Sequence, residues 1–337
     1  MELMHIMVLF LVLYLLSCIT GKQRYSSDVY LTIPVRQVKY QYVYDIFKKN
    51  HRPEEVCIPH DPLFHPLTYV LKQNMKWNHR SVCSNDTFVL LMYFTYNGDS
   101  ERRDLIREYV KQGMVVDGRV INYVQIVATN DTEQLRHFDQ DNALYGDLLV
   151  SLHKDVREEW PLTVFDAYMW ARDYCGQAKY VVKVDGDVWV HLGNLIHYLQ
   201  SAPSHAYYGG QTIRTWVRKG RHYKGVRYSP NDCPEHPNAF NLGGGNIMSS
   251  DLIPFINIGM QYLDYIMPAV EDMPIGYVLQ KAGVSASGTP GYRALLFYEK
   301  LPNGTVPKNV LFLHCRGLDV IKGVYRRLSN KQQTALL

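Results

Sequence analysis

Asp185 and Asp187 flank a single glycine, Gly186, in the stretch AKYVVKVDGDVWVH that runs from Ala178 to His191. Carboxylates at i and i+2 point to the same side of an extended backbone. Hard oxygen donors so placed suit Mg²⁺ or Mn²⁺, ions that commonly bind together with substrate phosphates. The glycine between them would let a ligand approach the main chain closely. The plain alternative is a turn that only ends a strand, because Asp and Gly are ordinary turn residues. Other residues with chemical potential stand far away in the chain. Glu271-Asp272 lies at the start of the segment Val270–Val284, which reads as a helix. There the two acids complement the helix dipole, or one of them acts as a general base toward a hydroxyl. His314 closes the apolar run Val310-Leu311-Phe312-Leu313. A lone His after a strand is usually structural; beside a metal held by Asp187 it becomes a ligand. Gly243-Gly244-Gly245 suggests backbone that passes close to something, or a flexible turn, and it lacks G-x-G-x-x-G spacing.

These residues need elements to hold them. Tyr180-Val181-Val182 leads through Lys183 and Val184 into the acidic turn, so the turn falls at a strand's carboxyl end, where ligands gather in open α/β sheets. Phe88–Phe94 reads as a buried strand, ended by Asn97-Gly98-Asp99. Ser100 is the expected N-cap of a helix whose apolar face holds Leu105, Ile106, Tyr109 and Val110. Val120–Ala128 reads as a second strand, Glu133–Asn142 as a helix, and Leu162–Tyr174 as a helix stopped by Cys175-Gly176. Leu192–Leu199 reads as helical, Ala206–Ile213 as extended, and Val310–Cys315 as a strand. Strands alternating with helices indicate an α/β sandwich with a largely parallel sheet. Trp216–Pro237 reads as a basic, aromatic loop carrying Arg218, Lys219, Arg221, Lys224 and Arg227. It is a solvated face, a holder for an anionic donor, or an acceptor rim.

The chain has 337 residues, 47% hydrophobic and 20% charged, the composition of an ordinary folded protein. A net charge of +4 without a Lys/Arg block or zinc-finger spacing gives no support to nucleic-acid binding. Met4–Thr20 is a near-continuous apolar run lacking Asp, Glu, Lys and Arg. It reads as an uncleaved signal anchor or a cleaved signal peptide, and both send the rest of the chain into the secretory lumen. Asn85, Asn130 and Asn303 each begin an N-glycosylation acceptor pattern. Beyond the apolar run lie Cys57, Cys83, Cys175, Cys233 and Cys315, enough for two disulfides and a spare thiol, with pairing open. The expected organisation is a short tail over 1–3, the apolar segment over 4–20, a proline-punctuated stem over 21–81, a main folded domain over 82–328 and a tail over 329–337.

Five blocks in order resemble the β-1,3-galactosyltransferase/N-acetylglucosaminyltransferase family and, through it, the Fringe-type glycosyltransferases. Arg103-Asp104-Leu105-Ile106-Arg107 resembles the family's R-x-x-I-R. Tyr145-Gly146-Asp147-Leu148-Leu149, Leu162-Thr163, Trp170 and Cys175 resemble its Y-G-D-I-I … L-T … W … C block. Ala178–Val190 resembles A-K-F-V-L-K-T-D-D-D-V-F-V, and Gly243-Gly244-Gly245 with Ile247-Met248-Ser249 resembles G-G-G-Y-V-x-S. Glu271-Asp272, Gly276 and Ala282-Gly283-Val284 resemble E-D-V-Y-V-G … L-G-V.

The resemblance implies a GT-A-type nucleotide-sugar-binding sandwich with a mixed, largely parallel central sheet. It implies an inverting hexosyltransferase that moves Gal, GlcNAc or GalNAc from a UDP-sugar, with Mn²⁺ or Mg²⁺, to a glycan on protein or lipid through a β-1,3 linkage. The implied location is the Golgi membrane, single-pass type II with a lumenal catalytic domain, or secretion after signal cleavage. Carried over residue by residue, Asp187 and His314 would bind metal and Asp272 would be the base. Arg103, Arg107, Lys183, Asp185 and Gly243–Gly245 would bind the donor. Gly186 departs from the family's middle Asp, Phe165 from its Lys, Val110 from its Trp, and Pro274 falls within the E-D block. The rival reading is a lumenal carbohydrate-binding protein that has kept the fold and lost catalysis.

Overall fold

A computed structural model describes residues 82–260, 263 and 267–329, together with Lys49, Met75 and Lys76. All of these fall within one compact unit spanning 43–337. The expected tail over 1–3 and apolar segment over 4–20 lie outside the described residues, as do nearly all of the stem and residues 330–337. Among the described residues no helix is long and apolar enough to cross a membrane.

Fifteen strands are described: β1 Met75–Lys76, β2 Thr87–Phe94, β3 Met114–Val116, β4 Arg119–Ala128, β5 Leu148–Ser151, β6 Tyr180–Asp185, β7 Val188–Val190, β8 Tyr208–Gly209, β9 Thr212–Val217, β10 His222–Tyr223, β11 Val226–Arg227, β12 His236–Asn241, β13 Asn246–Ser249, β14 Arg293–Phe297 and β15 Val310–His314. The α-helices are α1 Ser100–Tyr109, α2 Thr132–Tyr145, α3 Trp160–Tyr174, α4 Leu192–Ser201, α5 Ile253–Gly259, α6 Asp272–Lys281 and α7 Leu318–Val324. The main sheet runs β1-β5-β4-β2-β6-β13-β8, with β3 on β4. Its inner strands β5, β4, β2 and β6 are parallel, and its outer pairings are antiparallel. The sheet is therefore the mixed one expected, with parallel pairing confined to its centre. β1 comes from the segment read as stem, so the sheet takes its edge from before residue 82.

The unbroken apolar run in β2 follows from burial on both faces. Leu90, Met92 and Phe94 pack on one side with α3, α5 and α6. Val89, Leu91 and Tyr93 pack on the other with α1, α4, β7, β15 and α7. Alternate side chains enter opposite cores, and both must be apolar. Trp170 fills the first core and Trp189 the second. A Cys83–Cys175 disulfide ties the chain ahead of β2 to the end of α3. Cys233 is also disulfide-bonded, and Cys315 is the expected free thiol, buried.

Several local expectations are corrected. Asp99 rather than Ser100 is the N-cap of α1, and it makes no side-chain capping bond. Asp131 caps α2 instead, accepting from the Gln134 amide. Trp216–Pro237 is not a loop. β9 and β12 pair antiparallel from Thr212 to Val217, and the intervening chain folds back as the β10–β11 hairpin. Its basic residues disguised the strand pattern, because such a ribbon is solvated rather than buried.

Candidate active site

The sheet ends decide where the acidic turn goes. In the β2–β6 register Phe94 lies beside Asp185, and the Gly186 amide donates to the Phe94 carbonyl at 2.7 Å. A Cβ on Gly186 would meet Thr95 Cγ2 at 2.8 Å and the Phe94 carbonyl at 2.9 Å. Gly186 therefore serves close approach of protein backbone, not of a ligand, and the family's middle Asp would not fit this packing unaltered.

Lys183 organises the site. Its side chain is fully buried, with Nζ 2.7 Å from Asp185 Oδ1, 3.3 Å from Glu271 Oε1 and 3.6 Å from Asp272 Oδ1. Nζ also donates to the Gly243 carbonyl at 3.2 Å. One ammonium thus gathers three carboxylates, with Glu271 standing 88 residues further along the chain than the lysine. Burial acts to strip its charge; the carboxylates of Asp185, Asp272 and Glu271 outweigh that and hold its pKa well above the usual lysine value. Asp272 is pushed the other way. Burial raises its pKa well above the carboxylate range, Lys183 partly offsets this, and Glu271 and Asp185 add to it. Asn246 Nδ2 donates to Asp272 Oδ1 at 3.1 Å and fixes the carboxylate's orientation. Asp185 is raised for the same first reason, burial.

The glycine triplet is close-packed rather than flexible. A Cβ on Gly243 would sit 2.6 Å from Lys183 Nζ and 2.8 Å from Asp272 Oδ2. On Gly244 it would reach Leu295 at 3.0 Å, and on Gly245 it would overlap the Phe312 ring. The triplet forms a buried 3₁₀ turn that delivers its backbone to the cluster.

Asp187 and His314 meet through the second, three-stranded sheet. β15 lies between β14 and β7, and His314 pairs with Val188, one residue after Asp187. His314 Nε2 is 3.2 Å from Asp187 Oδ2, and its Nδ1 is buried without a hydrogen-bond partner. Burial opposes ionisation of both. Their mutual hydrogen bond and charge attraction prevail, holding Asp187 below and His314 above their ordinary values. A carboxylate and an imidazole facing each other fit a divalent cation that draws its remaining ligands from phosphate oxygens. Among the described residues no group of three or more His, Cys, Asp or Glu is arranged to hold a metal ion by itself.

Arg103 and Arg107 are not brought to this cluster. Arg107 spends its guanidinium inside the protein, on Asp147 in bidentate fashion and on Asp141 and Asp104. It clamps α1 to the start of β5 and has no nitrogen left for a nucleotide. Arg103 is buried, donating to the Tyr96 carbonyl at 3.0 Å, and so braces the chain that leaves β2. Sequence reasoning passed over Tyr96 and Asn246. Tyr96 is half exposed, stacks on Trp160 at 5.2 Å and lies within the electrostatic reach of Glu271 and Asp185. Its position just past a parallel strand was the available signal.

The α/β sheet thus carries a lysine-bridged acid cluster at its parallel strands' carboxyl ends, with a carboxylate–imidazole pair beside it. The chain belongs to the galactosyltransferase family of hexosyltransferases, whose family model matches residues 101–290. It is 24% identical over 281 residues to a lactosylceramide 1,3-N-acetyl-beta-D-glucosaminyltransferase A of Danio rerio, covering 77% of this chain and 70% of that one. It is 30% identical over 146 residues to UDP-GalNAc:beta-1,3-N-acetylgalactosaminyltransferase 1 of Rattus norvegicus, covering 42% and 43%. It is 26% identical over 217 residues to beta-1,3-galactosyltransferase 1 of Mus musculus, covering 62% and 64%. Of the last two relatives, the chain therefore spans less than two thirds. Among solved structures, the galactosyltransferase LgtC with donor and acceptor sugar analogues aligns over 73% of this chain and 96% of that one, at 12% identity and a TM-score of 0.39.

Proposed function

We propose that the protein transfers a hexose from a UDP-sugar to a glycan hydroxyl on protein or lipid, with inversion, forming a β-1,3 linkage. The observation that carries this is the Lys183 cluster. It sets a buried, desolvated carboxylate, Asp272, beside the donor-side residues Asp185 and Gly243. In the proposed reaction Asp272 takes the proton of the acceptor hydroxyl. The oxygen then bonds the donor's anomeric carbon from the face opposite the diphosphate, whose bond breaks as the new one forms. A single displacement of this kind inverts the centre. Asn246 and the Gly243 amide keep Asp272 oriented, and Lys183 balances the carboxylates before the proton moves. Asp187 and His314 are the residues that would hold Mn²⁺ or Mg²⁺; such an ion, when bound, neutralises charge on the departing diphosphate.

Residence in the secretory lumen, with attachment to the Golgi membrane through residues 4–20, belongs to the same proposal. The Cys83–Cys175 disulfide and the exposure of Asn85, Asn130 and Asn303 support the lumenal part, since disulfides persist in oxidising compartments.

The test is a thermal-shift panel of UDP-Gal, UDP-GlcNAc and UDP-GalNAc with and without Mn²⁺, run on the wild-type protein and Asp187→Ala. One UDP-sugar is expected to raise the melting temperature with Mn²⁺ in the wild type, by about 2.7 kcal/mol of stabilisation at a hundredfold excess over Kd. Asp187→Ala should remove the metal-dependent part. No shift with any UDP-sugar would refute the donor class and favour a fold retained for carbohydrate binding alone.

A further inference from the structure

A second feature lies along the same helix as Asp272. A cavity of about 400 Å³ opens between α6 and the β9–β12 ribbon, lined by Trp216, Pro237, Asn238, Arg214 and Gln280 among others. Trp216 is 53% exposed, large for an indole on a folded surface. It stands opposite Pro237 in the β9–β12 register, and Arg214 stands opposite Ala239 two residues earlier on the same face. Arg214 lines this cavity and also borders a second one alongside Gly210 and Arg293. Asn238 is 2% exposed; its Nδ2 donates to the Met273 carbonyl at 3.1 Å, while its Oδ1 has no partner.

We infer that this cavity is an acceptor subsite that stacks a pyranose ring on Trp216, at a sugar removed from the one that receives the hexose. The inference rests on the proposed transfer and names its acceptor class as a glycan of several sugars. An indole face carries negative electrostatic potential and attracts the C–H-bearing face of a sugar, while amide and guanidinium groups meet the hydroxyls. Trp216 shares the cavity lining with the polar side chains of Arg214, Asn238 and Gln280, the mix of aromatic and polar groups found in ligand pockets. The spacing fits. Asp272 opens α6 and Gln280, a lining residue, sits near its end, eight residues on, so the cavity's lining reaches about 12 Å along the helix from Asp272 at 1.5 Å per residue. That span needs a chain of sugars, not one. The helix is held on the ribbon by close backbone contact, since a Cβ on Gly276 would overlap the Ala239 carbonyl. The Asn238–Met273 bond joins the cavity wall to the first turn, next to Asp272.

The experiment compares wild type, Trp216→Ala and Trp216→Phe. The acceptors are methyl β-galactoside and a neutral tetrasaccharide of alternating galactose and N-acetylglucosamine. Expected is a rise in KM of about tenfold for the tetrasaccharide in Trp216→Ala, equivalent to about 1.4 kcal/mol, with kcat and the methyl galactoside KM holding and Trp216→Phe recovering most of the loss. Equal changes for both acceptors, or none, would overturn the inference. Calorimetric titration of the tetrasaccharide into each protein without donor keeps the two proposals apart. Tetrasaccharide binding lost in Trp216→Ala supports the subsite even where no transfer is detected, and binding that ignores Trp216 refutes it even where transfer proceeds.

Discussion

Lys183→Met would remove the buried ammonium and leave Asp185, Glu271 and Asp272 facing one another without a counter-charge. All three lie within 3.6 Å of Nζ. Met fills most of the volume of the lysine stem, so the loss is electrostatic rather than a cavity. Deleting one partner of a buried ion pair costs about 3–5 kcal/mol, which for a domain of this size lowers the melting temperature by about 6–20 °C. The sign of the pH dependence follows from the carboxylates. Asp185 and Asp272 already have raised folded-state pKa values, burial being the first cause and Lys183 the opposing one. Without the lysine they rise further, the folded protein holds more protons than the unfolded chain, and stability falls as pH rises through the carboxylate range and above. The deficit against wild type should therefore be small near pH 5 and large at pH 7.5. Melting curves of both proteins at the two pH values measure it. A deficit under about 1 kcal/mol at pH 7.5, the size of an exposed pair, or one equal at both pH values, would refute the role given to Lys183.

Asp272→Asn should keep the fold and lower kcat by about 10²–10⁴-fold, the range for a lost general base. In the wild type the same residue must be ionised to act, so activity should fall as pH drops through its raised pKa. The acid limb of the kcat profile should then lie above the ordinary Asp value of about 3.9, and a limb at or below that value would argue against Asp272. Gly245→Ala places a methyl against the Phe312 ring; a loss of about 1–3 kcal/mol is expected from overpacking, read by denaturant unfolding, with a neutral effect telling against a rigid turn.

The β2 and β6 strands, the helices α1 to α4 and α6, and the final strand β15 were legible because each carries its periodicity within a few residues. Asp187, Asp272 and the glycine triplet were legible as candidates because the ordered motif blocks mark them, and His314 because it closes an apolar, strand-like run. The weakly patterned parts were not. β13 and β14 are short strands whose pairing is set from outside themselves, and the β9–β12 ribbon hides its alternation under charged residues. Gly186 was misread as an opening for a ligand because nothing local reveals that Phe94 and Thr95 press against it.

The sequence by itself determined the α/β class, the elements that end in acidic or imidazole side chains, and the residue types available for chemistry. Hydrophobic period and turn chemistry are local properties, and they survive in a linear reading. Only the tertiary structure decided which charges meet. Arg103 and Arg107 were expected to bind the donor from their motif, yet Asp147 and Asp141 draw Arg107 into a structural clamp. Lys183 was expected as a donor contact, but its ammonium is buried among Asp185, Glu271 and Asp272, because ion pairing depends on distance in space and long-range closure of the sheet on the start of α6 sets that distance.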